Sequence, residues 1–332
     1  MPTPEELEDA AAAAAVAGLK ARLEELVRRA MALYESLSPE VRGMILESVA
    51  TSLEALDTTD VSAPMLTAAT EAMTMGMEDA ARRARVAVPS LRVGPAVTRA
   101  AEQAPGKATE ELVKAAQAAR QAETPDDLQD ALLVARRAVT RTEAAARFAV
   151  NRSLSEGVQR VADQAGLSRV WLPERDACVH CLAYAGEVAG PGQRFRGGLT
   201  FGRKPLVPSG TDVQVPLHPN CRCRVQVYDT DKDSPDFPAA LKREALRSIL
   251  RGFSLASEPE RVRLDAADRA LKAAARMPKS VQDYARAAVK RGAFPRGNVF
   301  PSPRVAIKNG KPSSGARGVK AKPAPGATPP GR

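Results

Sequence analysis

The sequence predicts an α+β chain that is predominantly α. An N-terminal helical bundle or set of hairpins comes first, then a small zinc-stabilised antiparallel β module, then short helices and a disordered tail. Three observations predict it. Apolar residues recur at spacings of three and four through most of residues 4–164, with Ser-Pro and Thr-Pro starts between the repeats. All four cysteines, both histidines and the only tryptophan fall between Trp171 and Tyr228, where short alternating runs replace the helical period. From Arg286 to Arg332 there are eleven Lys or Arg and no Asp or Glu, and beyond Arg296 almost no large apolar side chain to build a core. The expected divisions are 1–123 (helical), 124–230 (long helix plus module 171–228), 231–295 (C-terminal helices) and 296–332 (tail).

A chain of 332 residues can bury a substantial core. Aromatics are only 4% of it, so Ala, Leu, Val and Met must fill that core, as in long helices packed closely side by side. The net charge of +10 points to an acidic partner, nucleic acid first. Subtracting the eleven C-terminal cations leaves residues 1–285 near −1, so the basic character reads as a property of the tail. No apolar run approaches the roughly 18 residues a membrane span needs. The run from Ala11 to Gly18 follows Glu5, Glu6, Glu8 and Asp9 rather than a basic leader, so it reads as the start of a helix and not as a signal peptide.

Residues 4–37 carry the strongest periodicity: Val16, Leu19, Leu23, Leu26, Ala30, Leu33 and Leu37 alternate spacings of three and four. This is an a/d seam, for a helix within a bundle or for an inter-chain coiled coil. Ser38-Pro39 supplies an N-cap and a Pro at the first helical position of a second helix, with Val41, Ile45, Val49, Ser52 and Leu56 as its stripe. The short connection predicts an antiparallel hairpin. A third helix is expected over 64–86 along Leu66, Ala69, Met73, Met77 and Ala80, its methionines read as core filling. Pro105-Gly106 should split the next stretch into helices at 94–104 and 108–122. Thr124-Pro125-Asp126-Asp127 opens the longest helix, 125–164, whose face is Leu128, Leu132, Ala135, Val139, Thr142, Ala146 and Val150 and whose stop is Gly166. Strands are expected at 169–172, 212–215 and 224–228. Six glycines and three prolines between Gly186 and Pro208, with Arg194, Arg196, Arg203 and Lys204 among them, predict an exposed, mobile basic loop. Phe195 and Phe201 interleave those charges, which suits either single-stranded nucleic acid or a loop folded on its own aromatics. Helices near 238–252, 258–275 and 280–291 follow.

The chemistry sits in two clusters, Cys178-Val179-His180-Cys181 and His218-Pro219-Asn220-Cys221-Arg222-Cys223. Thiolate and imidazole donors at this spacing suit a tetrahedral Zn²⁺. Pro and Asn in the middle of a four-residue turn bring His218 and Cys221 within about 7 Å, Cα to Cα. Continued as a strand, the chain points Cys221 and Cys223 to one face. Cys178 and Cys181 are the firmest candidate ligands, and the remaining positions are filled from His218, Cys221 and Cys223. His180 reads as a solvent-side turn residue. Disulfides are the competing reading of the four cysteines, in an oxidising compartment.

The run Arg141-Thr142-Glu143, then Asn151, Trp171, Asp176, the C-x-x-C, Gly186 and Pro216-Leu217-His218-Pro219-Asn220-Cys221-Arg222-Cys223 resembles the Mu F-like minor head proteins of tailed phages, over roughly residues 125 to 230. The closing H-P-N-C-R-C is the specific part. Taken without the resemblance, Glu143 pairs with Arg147 one helical turn on. The resemblance implies a virion protein present in few copies, attached to the portal, contacting phage DNA and acting in head assembly, packaging or ejection. Scaffold or major capsid protein are further expected partners, with the capsid interior and, during assembly, the host cytoplasm as its locations.

Two other readings compete with this structural, non-enzymatic one. A zinc enzyme needs an open metal position and a nearby base. The deaminase H-x-E is absent, and two histidines cannot furnish both a His-based nuclease site and its base. A cellular zinc-ribbon DNA-binding protein fits the charge and ranks second.

Overall fold

The computed structural model describes residues 3–36, 38–174, 177–219, 221–253 and 258–294, together with 307–308 and 311–312. Five helices come first: α1 (Pro4–Ser36), α2 (Pro39–Glu54), α3 (Ser62–Ala84), α4 (Pro95–Arg120) and α5 (Pro125–Gln164). The module follows as β1 (Ser168–Leu172), α6 (Val179–Ala183), β2 (Val188–Ala189), β3 (Phe195–Arg196), β4 (Asp212–Val213) and β5 (Arg224–Tyr228). Three helices follow the module, α7 (Asp236–Leu250), α8 (Glu260–Leu271) and α9 (Lys279–Arg291). In the C-terminal region, β6 (Ile307–Lys308) pairs with β7 (Lys311–Pro312); the rest of the segment expected to be a disordered tail lies outside the described residues.

The long helix α5 is the axis, with α1, α3 and α4 laid against it and α2 against α4. Its start is a capping box: Thr124 Oγ1 accepts from the Asp127 N–H while the Asp127 carboxylate accepts from the Thr124 N–H. Its end is a Schellman turn, with Gly166 at φ +65° and the Leu167 N–H reaching back to the Ala162 carbonyl. All seven residues of its expected face are buried. The crossing with α3 is backbone on backbone: a methyl on Gly76 would stand 2.3 Å from the Leu154 carbonyl oxygen, and one on Gly157 2.5 Å from that of Met73.

Three helical expectations need correction. The first is α4, which runs unbroken through Pro105. Proline takes the N–H that would serve the Ala101 carbonyl, and the Ser62 hydroxyl donates to that carbonyl instead, at 2.8 Å. A neighbouring helix thus supplies the missing partner, and Ala101, Ala104 and Ala108 stay buried. Second, the α2 stripe is rotated: Leu46, Val49, Ala50 and Leu53 are buried, whereas Val41 is exposed. Third, the heptad seam of α1 fades. Leu33 is 45% exposed, Tyr34 is buried in its place, and Leu37 lies outside the described residues. A straight helix drifts off a strict seven-residue repeat, and α1 packs a broad face onto its own chain. The methionines Met65, Met73 and Met77 are core, as expected.

The module holds two small antiparallel sheets, β2-β1-β5 and β3-β4. In the first, Trp171 pairs with Val225 and Arg169 with Val227 on one side and Ala189 on the other. The strand expected at 212–215 is shorter and joins β3, inside the stretch expected to be a mobile loop. Phe195 explains the order: it is 3% exposed and sits edge-on to Trp171 at 5.1 Å, while Tyr184 stacks on the other side of the indole at 4.7 Å. The loop thus closes over the one tryptophan, and its cations Arg194, Arg196, Arg203 and Lys204 remain exposed.

One hydrophobic core runs across the expected boundaries near 123 and 230. Met73 and Met77 of α3 and Val158 and Val161 of α5 share it with Trp171, Val179 and Leu182 of the module and with Ile249, Ala266 and Ala285 of α7–α9. Charge is also uneven before the tail: residues 1–185 hold 21 Lys/Arg against 27 Asp/Glu, and residues 186–285 hold 17 against 12. The basic character therefore extends from the module through α9, rather than belonging to the tail alone.

Candidate metal centre

The C-x-x-C sits at the start of α6, a helix of five residues, too short to persist alone. Cys178 is its N-cap, its sulfur accepting from the Cys181 N–H at 3.4 Å. That single turn places both sulfurs on one side. Opposite them, the Cys221 N–H donates to the His218 carbonyl at 3.0 Å, the expected four-residue turn, entered after a cis Val215–Pro216 peptide. Asn220 and Asp176 lie outside the described residues. Cys221 and Cys223 precede β5 rather than lying in it. The far side of the turn is fixed from α5: the buried Asn151 amide donates to the Cys221 carbonyl at 2.5 Å.

All five candidate donors converge. His218 Nε2 is 3.3 Å from the sulfurs of both Cys178 and Cys181, and the Cys181 and Cys221 sulfurs are 3.6 Å apart. Donor atoms at about 2.3 Å from a tetrahedral zinc stand about 3.7 Å from one another, so these separations match the edges of such a shell. Two overlapping triads result, Cys178–Cys181–His218 and Cys181–Cys221–Cys223, with Cys181 common to both. The four cysteines are buried free thiols in this structure.

Proton positions follow the packing. The Cys181 thiol donates to Cys178, and this bond, backed by His218, holds the Cys178 thiol down to about 4. Hydrogen bonds from Cys181 and Cys223 likewise lower Cys221 well below the ordinary range. Cys181, whose single S–H faces the sulfurs of Cys178, Cys221 and Cys223, is raised by them and by burial. Burial raises Cys223, although Trp171 stands close enough to favour its thiolate. Burial opposes protonation of His218, but its bond to Cys178 and the negative charges around it leave its value raised. The Cys and His donors gathered here form a possible metal-binding centre.

His180 departs from its expected place. It is half-buried on α6, its Nδ1 2.8 Å from Thr200 Oγ1, and burial lowers its pKa; it belongs to neither triad. Glu258 was not legible as a site residue, for it lies 37 residues beyond Cys221 with no motif around it. It borders the centre nonetheless. Its Oε1 accepts from the Val179 N–H at 3.4 Å, Oε2 is buried without a hydrogen-bond partner, and burial, then the charge of Cys178, push the carboxyl up to about 7. A carboxylate therefore stands beside the candidate ligands. Of the run Arg141-Thr142-Glu143, Glu143 pairs with Arg147 at 3.8 Å as read from spacing, while Arg141 reaches the buried Glu111 of α4 at 2.6 Å. That run lies away from the centre in a helix–helix contact.

No family model, curated protein or solved structure matches the chain.

Proposed function

We propose that the protein is a structural, non-enzymatic component of a phage head, a minor head protein of the Mu F-like kind. It carries one Zn²⁺ on Cys178, Cys181, His218 and one of Cys221 and Cys223. It docks on the portal and touches phage DNA through its basic C-terminal part, with scaffold or major capsid protein as further neighbours. The virion interior near the portal is its place, and the host cytoplasm during assembly. No helix among the described residues is long and apolar enough to cross a membrane.

One observation supports the reading: Asn151 and Trp171, residues of the resemblance that are far apart in sequence, border the same Cys/His cluster. Asn151 holds the Cys221 carbonyl and Trp171 packs beside Cys223, while the Gly186 N–H donates to the Trp171 carbonyl at 3.0 Å. Zinc rather than another ion is favoured by a donor set of thiolates and imidazole. When bound, the ion would cross-link α6 to the His218–Cys223 turn, which is a folding role.

Glu258 favours a second reading, a zinc-dependent nuclease, because a carboxylate beside a metal centre can serve as a base. The donor supply favours the structural role, since the remaining cysteines can complete the shell and exclude water. The deciding experiment is co-expression with the portal protein, followed by pull-down and metal analysis. Portal capture with about one zinc per chain supports the proposal. A zinc-loaded protein that ignores the portal and cleaves DNA overturns it, and one that ignores the portal but binds DNA specifically favours the cellular zinc-ribbon alternative.

A further inference from the structure

The five residues of α6 stand between two sets of partners. On one side are the ligand sulfurs of Cys178 and Cys181. On the other, Val179 and Leu182 enter the same core as Ile249 and Leu250 of α7 and Ala266 and Ala270 of α8. Polar contacts repeat the arrangement. Glu258, at the approach to α8, accepts from the Val179 N–H. The Phe201 N–H donates to the Val179 carbonyl at 3.1 Å. The loop around Phe201 is in turn held by α8, through Arg269 to the Gly202 carbonyl at 3.2 Å and Arg203 to Asp265 at 2.8 Å. The C-terminal helices therefore rest on a helical turn that is too short to hold its own shape.

We propose that metal occupancy of this centre controls the docking of α7–α9, with α6 as the platform and Glu258 as the strap between them. Two of the four places in the metal shell belong to α6, one at its N-cap and one inside it, so the ion fixes the turn that α7 and α8 pack against. Removing the ion frees that turn and with it the apolar seat of Ile249 and Ala266. Metal-bound, the basic C-terminal third is held against α6; metal-free, that hold is lost and the start of α7, where Phe237 packs with Val170 and Tyr228, is left as its anchor. Glu258 is a positioning residue here. It orients the α6 backbone through the Val179 N–H, next to Cys178.

This inference rests on the metal reading above, and the test separates the two. Zinc content is measured on full-length protein, and amide hydrogen exchange is then followed by mass spectrometry with and without chelator. About one zinc per chain is expected. On chelation, exchange should accelerate at least about tenfold in 236–291 as well as in 178–185, while α4 and the first half of α5 stay protected. Absence of bound metal overturns both readings. Bound metal whose removal loosens only 178–185 overturns the docking inference and leaves the metal reading standing. In Glu258→Ala, zinc should remain near one per chain while exchange in 260–291 rises severalfold, and Glu258→Gln, which keeps an acceptor for Val179, should recover most of that protection. Unchanged exchange in Glu258→Ala removes the strap.

Discussion

Asn151 and Cys221, seventy residues apart, are joined by a hydrogen bond from a fully buried side-chain amide to a backbone carbonyl. The bond fastens the second ligand turn to the central helix. Replacing Asn151 with Ala leaves that carbonyl without its partner. A loss of about 1–3 kcal/mol in unfolding free energy is expected by chemical denaturation. Metal affinity should fall by about 10–100-fold in a chelator competition, as for other residues that orient ligands from behind. An unchanged affinity would mean that the turn keeps its shape without α5.

Cys221 and Cys223 compete for the fourth place. Cys221 is the one whose thiolate its neighbours favour, and its sulfur lies 3.6 Å from Cys181; burial keeps the Cys223 proton in place. Cys223→Ser should therefore retain about one zinc per chain by elemental analysis, and Cys221→Ser should lose most of it. The opposite pattern would assign the place to Cys223. Cys181→Ser, which removes the sulfur common to both triads, should be the most damaging.

Ser62 and Pro105 form a testable pair. In the native background Ser62→Ala strands the Ala101 carbonyl and should cost about 1–3 kcal/mol. Pro105→Ala restores an N–H four residues after Ala101, so Ser62→Ala should cost far less in that background. Equal costs in both backgrounds, read from urea unfolding, would show that the Ser62 hydroxyl does not stand in for the missing donor.

Glu8 pairs with Arg224 at the start of β5, and burial raises its carboxyl above the ordinary 4.5 despite that partner. The folded state thus holds the Glu8 proton more tightly than the unfolded state does. Its contribution to stability is full below pH 4.5 and is lost as the pH rises through the raised value. Unfolding midpoints measured between about pH 4 and pH 7 should show this fall in the native protein, and Glu8→Gln should lack it. A mutant profile parallel to the native one would place the titration elsewhere.

The sequence by itself determined helices over 4–37, from Pro39 onward, over 64–86 and over 125–164, strands at 169–172 and 224–228, and the five donors of the candidate metal centre, the observed ends lying within two residues of those expected. These are local matters. Helical period, Thr124-Pro125 capping, the Gly166 stop and the turn between His218 and Cys221 depend on residues within a few positions of one another. The tertiary structure alone decided the rest. Pro105 lies within a continuous helix because Ser62, 43 residues earlier, serves the Ala101 carbonyl. Phe195 is core rather than loop because it meets Trp171. The face of α2 is set by what α4 offers it, and Glu258 borders the centre because α8 packs on α6. In each case the deciding partner is distant in sequence, and periodicity carries no information about which buried surface or orphaned carbonyl a residue will meet.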